Sequence, residues 1–174
     1  MAGTLSLIGV KKLESKLNTL MGIIKQDVGE EINASSLKIQ SDAKRLAPVN
    51  FGQLRNSIAL SKDNDSTYTV SANASYAPYI EFGTGGKVSI PAGFNEMAAS
   101  FKGKSGGKFK DMVAALTLWV KAKGIGNGKN DKGIAFAIAL SILRKGMKAQ
   151  PFLIPAYESE KPKLINRLKT LLNA

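Results

Sequence analysis

No cysteine and no histidine occurs in this sequence. Without thiols there is no disulfide, no thiolate zinc centre and no cysteine nucleophile; without imidazole the usual general base and the commonest metal ligand are missing. Aromatic residues make up only 7% of the 174 positions, so the core has to be built mainly from aliphatic side chains. Acidic residues are outnumbered, 13 against 25 basic ones, and they show no paired spacing suited to acid-base chemistry or to a hard cation. No apolar run approaches the roughly 20 residues that span a bilayer. The opening MAGTLSLIGVKK also lacks the charged start and long apolar stretch of a signal peptide. A Ser-Lys dyad or an all-oxygen metal site is the chemistry that survives these absences, and nothing in the spacing supports either. The expectation is one domain, residues 1–174, that is not an enzyme and needs no cofactor, metal or membrane.

What is abundant is positive charge, and it is unevenly placed. Residues 1–84 carry 9 basic and 8 acidic side chains, residues 85–132 carry 9 and 3, and residues 142–174 carry 7 and 2. Such an excess either keeps a face solvated or presents a surface to DNA or to an acidic protein. Part of it falls in a Gly/Lys-rich segment, residues 85–109, which reads as a long mobile loop with little reason for regular structure. Lys87, Phe101, Lys102, Lys104 and Lys108 are its candidate partner-contact residues. Within it Val88–Ile90 reads as a short strand, and Phe94, Met97 and Phe101 have partial helical spacing. Gly103-Lys104-Ser105 is not a phosphate-binding loop, because Ala98 stands where that motif requires its first glycine.

Elsewhere the periodicity is clearer. Leu13, Leu17, Leu20, Ile24, Val28 and Ile32 recur every three or four residues and predict a long helix from Val10 to about Leu46, weakened at Gly22 and Gly29 and ended by Pro48. Its stripe is expected to pack on a sheet or to reach a neighbouring subunit. Residues 51–57 read as a helical turn, and Ser57–Lys62 and Ser66–Ala72 as a hairpin around Asp63-Asn64-Asp65. A third strand is predicted over Tyr79–Phe82, started by Pro78 and ended by Gly83. Three further helices follow: one from an Asp111 N-cap to Lys123 with Trp119 in the core, one over 131–144, and one over 156–172 after an extended connection through Pro151 and Phe152. The fold class is α+β, a small antiparallel sheet packed by the N-terminal helix and the C-terminal helices.

Three segments stand out together: APVNFGQLRNSI at 47–58, YAPYIEFGT at 76–84 and QPFLIPA at 150–156. Arg55 lies in the first, Tyr76, Tyr79, Glu81, Phe82 and Gly83 in the second, and Pro151 and Phe152 in the third. Glu81 sits among bulky apolar neighbours: if buried, its carboxylate needs a partner, for which the guanidinium of Arg55 is the candidate, and otherwise it is exposed at a sheet edge. Phe152, between two prolines, is expected to anchor the connection in the core.

In order and approximate spacing these segments resemble a bacteriophage family of small tail-completion proteins, named after the tenth gene product of a lambdoid phage. The chain departs from the family at Phe51, where members often carry threonine before the glycine. The resemblance implies a structural virion protein of the head-to-tail joint, made in the host cytoplasm. It also implies a ring, six-fold by the symmetry of phage tails, that lies between the head connector or stopper protein and the tail terminator or tail tube, with nonspecific DNA contact in the lumen. A DNA-binding accessory factor of packaging and a tail terminator are the alternatives.

Overall fold

In a computed structural model the chain is described over residues 10–48, 52–101, 109–126 and 128–173. The predicted N-terminal helix is one continuous element, α1 (Val10–Leu46), of 37 residues and so about 55 Å long. Gly22 and Gly29 do not break it. Gly29 has a packing reason to be glycine: a Cβ there would lie 2.6 Å from the carbonyl oxygen of Asp65, which rests against the helix. Lys44 and Arg45 occupy the last turn, where positive charge suits the helix dipole, and Pro48 follows.

A short helix α2 (Gln53–Ser57) leads into the hairpin of β1 (Ile58–Asn64) and β2 (Thr67–Ala72). The strands pair antiparallel from Ile58 with Ala72 to Asn64 with Thr67, with an irregularity between Lys62 and Asn64. The Asn64 side chain accepts the Ser66 N–H at 2.9 Å, which is the local turn chemistry expected of the Asp63-Asn64-Asp65 run.

The predicted third strand is a helix, α3 (Ala77–Phe82). Pro78 falls in its first turn, where a fixed φ and a missing N–H carry no penalty, so the residue read as starting a strand starts a helix instead. Val88–Ile90 is likewise not a strand; it follows a 3-10 turn at Gly85–Lys87 and precedes α4 (Asn95–Phe101). The described part of the Gly/Lys-rich segment therefore has more regular structure than its glycines imply.

Helices α5 (Phe109–Ala122), α6 (Asp131–Lys145) and α7 (Leu153–Leu172) complete the chain. Asp111 lies inside the first turn of α5 rather than capping it. α7 starts three residues before the predicted Ala156, because Pro155 is tolerated in a first turn. Buried side chains gather in two clusters. Ala43, Ala47, Leu54, Ile58, Ala77, Phe152 and Ala156 bring α1, α2, β1, α3 and α7 together. Val113, Val120, Ala135 and Ala139 join α5 to α6, with Trp119 half-buried against them. Leu143, near the end of α6, is exposed.

Candidate functional site

The buried carboxylate of Glu81 is satisfied by backbone, not by Arg55. Its Oε2 accepts the N–H groups of Phe152 at 2.8 Å and Leu153 at 3.0 Å, and its Oε1 accepts that of Ile154 at 2.8 Å. The first N–H groups of a helix have no partner within it and form its positive end. α7 has no capping side chain of its own at Phe152, and Glu81 of α3 supplies the cap from a distant part of the chain. Arg55 points elsewhere: its Nε donates to the Lys44 carbonyl at 2.9 Å, near the end of α1.

The chain on either side of Glu81 is held to the segment before α7. The Gln150 N–H donates to the Ile80 carbonyl at 2.8 Å and the Thr84 N–H to the Met147 carbonyl at 2.9 Å. The Met147 N–H returns to the Thr84 hydroxyl at 2.8 Å. These approaches require glycine twice. Gly83 has φ +77° and a Cβ on it would lie within 2.8 Å of three backbone atoms; Gly146 has φ +71° and its Cβ would lie 2.1 Å from the Thr84 carbonyl oxygen. The Phe-Gly-Thr run is thus spelled by close backbone packing.

All three sequence segments meet at one place. Leu54 and Ile58 from the first, Ala77 from the second and Phe152 with Ala156 from the third share the larger cluster, and Phe152 is 1% exposed. Phe82 is buried and Tyr79 half-buried, whereas Tyr76 and Pro151 reach the surface. The sequence predicts Phe152 in the core but mispairs Arg55 with Glu81.

The candidate contact residues are scattered in the described structure. Lys87 is exposed in its 3-10 turn and lines a shallow groove with Val88, Pro91, Lys148 and Pro151. Phe101 is exposed at the end of α4. Lys102, Lys104 and Lys108, like Phe51, lie outside the described residues.

Two features mark the α1 face. Arg167 of α7 donates to Glu31 and to Glu160, both at 2.8 Å, and also to the Ser35 hydroxyl, which in turn donates to Glu160 at 3.2 Å. The two carboxylates, Glu160 first, raise the Arg167 pKa above its ordinary value. Beyond this network Leu13, Leu17, Leu20 and Ile24 are exposed, although their spacing predicts a covered face. Among the described residues no cluster of acidic side chains could hold a metal ion, and no helix is long and apolar enough to cross a membrane.

Residues 11–83 match the model of the family described as "Bacteriophage HK97-gp10, putative tail-component". The matched stretch runs from α1 to Gly83 and contains the first segment and all of the second but Thr84; the third, 150–156, packs on it through Glu81 and Phe152. No curated protein and no solved structure matches the chain.

Proposed function

We propose that this chain is a phage tail component that completes the tail at the head-to-tail joint, as a nonenzymatic structural protein of the virion neck. The observation that carries the reading is the family match over 11–83, supported by the packing of the 150–156 segment on that same core. Identical subunits form a closed ring through heterologous contacts, six-fold to suit the tail, with head connector or stopper protein on one side and tail terminator or tube on the other. DNA passes through its lumen. The excess of lysine in residues 85–132 supports contact with an anionic surface, either phosphate or an acidic protein ring.

Deleting the gene is expected to leave filled heads and separate tails, seen by negative-stain microscopy, and adding the purified protein is expected to join them. Intact virions from the deletion would overturn the reading. The same charge supports a second reading, a DNA-binding accessory factor in packaging. Deletion would then give empty heads, and the protein would bind random duplex DNA with a steep salt dependence. A tail terminator differs again, because its loss gives tails of irregular length.

A further inference from the structure

The hairpin of β1 and β2 is a sheet of two strands, so each strand has an outer edge. The Asn73 N–H donates to the Ser57 carbonyl at 3.0 Å, which fixes the alternation of the ladder. Ala59 with Ser71 and Ser61 with Thr69 exchange hydrogen bonds, while Ile58, Leu60 and Lys62 of β1 and Tyr68, Val70 and Ala72 of β2 turn their N–H and C=O groups outward. On β1 that edge is partly closed. The Ile58 N–H donates to the Arg55 carbonyl, and the Ile58 C=O accepts the Gln40 side chain of α1 at 3.2 Å. Lys62 and the register irregularity beside it guard the rest. On β2 none of the outward groups of Tyr68, Val70 and Ala72 meets a partner among the described residues. The strand reads TYTVSA, with neither a charge nor a proline nor a bulge, so it lacks the devices that keep an edge from pairing.

The register of β2 says what completes this edge. When two copies of the strand lie antiparallel with Val70 opposite Val70, Tyr68 of each faces Ala72 of the other, and every outward N–H and C=O of both strands is paired. The side chains agree with this register. Val70 and Ala72 pack toward the larger core cluster, where the large Tyr68 comes to lie beside the small Ala72. On the opposite face Thr69 meets Ser71, and no charge opposes a charge. We propose that β2 is a self-pairing edge, through which two free copies of this chain join about a two-fold axis into a four-stranded antiparallel sheet. A two-stranded sheet is marginal by itself, and the pairing doubles its strands. Such an isologous contact differs from the heterologous contacts of a closed ring, so the pair belongs to the free subunit and needs only β2. The contact is short, which makes the dimer weak and concentration-dependent.

Sedimentation and amide hydrogen exchange of the full-length protein test the pairing. The chain is expected to pass from monomer toward dimer as its concentration rises to about 1 mM, the scale of a weak contact. Over the same range exchange should slow at Tyr68, Val70 and Ala72 and stay unchanged at Leu60 and Lys62. Two variants at the same positions read the register. Thr69→Lys with Ser71→Lys sets lysine against lysine across the axis and should weaken the dimer at least tenfold. Thr69→Lys with Ser71→Glu sets lysine against glutamate and should dimerise at least as tightly as the wild type. Matched melting temperatures of the two variants keep a folding defect from imitating either result. A wild-type chain that stays monomeric at about 1 mM would overturn the proposal and leave the edge to a strand of another protein. So would a dimer that the two variants weaken equally or leave untouched. Slowed exchange at Leu60 and Lys62 would assign the contact to β1 of one copy against β2 of the next, and would overturn it equally.

Discussion

The carboxylate of Glu81 reaches across 71 residues of sequence to accept the backbone N–H of Phe152 at 2.8 Å. With Leu153 and Ile154 it gathers three amide donors around one charge. A buried carboxylate is thereby held by a helix end, with no ion pair of its own among the described residues.

Glu81→Ala strands these donors in a buried site and is expected to cost about 2–4 kcal/mol in chemical denaturation, more than the ~1 kcal/mol of an ordinary cap. Glu81→Gln keeps one acceptor oxygen and should fall between. Arg55→Ala loses a separate bond to the Lys44 carbonyl and is expected to cost about 1 kcal/mol. The Arg55→Ala, Glu81→Ala double mutant should be additive within about 0.5 kcal/mol. A larger coupling would mean the two side chains communicate in solution.

Phe152 fills the junction of the three sequence segments, so Phe152→Ala is expected to cost about 3–5 kcal/mol. Thermal and urea unfolding should agree on the loss. A change below about 1 kcal/mol would place the ring at the surface.

Gly146→Ala and Gly22→Ala are expected to act in opposite directions. At Gly146 a methyl group meets the Thr84 carbonyl under a positive φ, and the variant should lose at least about 2 kcal/mol. At Gly22 nothing lies within 4 Å, and alanine should favour the helix by about 1 kcal/mol. Slower amide hydrogen exchange in residues 13–25 reads the second effect, and melting temperature the first.

A chain ending before Ala156 is expected not to fold. It retains Phe152 and Ile154 but lacks Ala156 and Glu160, and leaves the α1 face around Ser35 uncovered. A soluble truncation with an unchanged melting temperature would contradict this.

Much of the fold is legible along the chain because local periodicity is local physics. The stripe from Leu13 to Ile32 predicts α1, alternation around Val70 predicts β2, and the apolar spacing over 131–144 predicts α6. Errors arise where one residue type suits two conformations. Pro78 opens a strand as readily as a helix, and only the docking of α3 against residues 147–150 distinguishes them. The partner of Glu81 was illegible for another reason, since backbone amides carry no residue name. Periodicity likewise shows that α1 has an apolar face but not that α7 packs on it around Glu31 and Ser35.

Because Glu81 caps α7 from the middle of the chain, the order of synthesis matters. The ribosome makes α1 and Glu81 before any of α7 exists, so the acceptor waits for its donors until residues 152–154 emerge. During that interval the inner face of α1 has no helix against it, and the nascent chain exposes apolar surface that long-range closure alone can hide. The closing step of folding is therefore expected to be governed by the arrival of residues 152–154, and to respond until then to chaperones that hold unfolded chains.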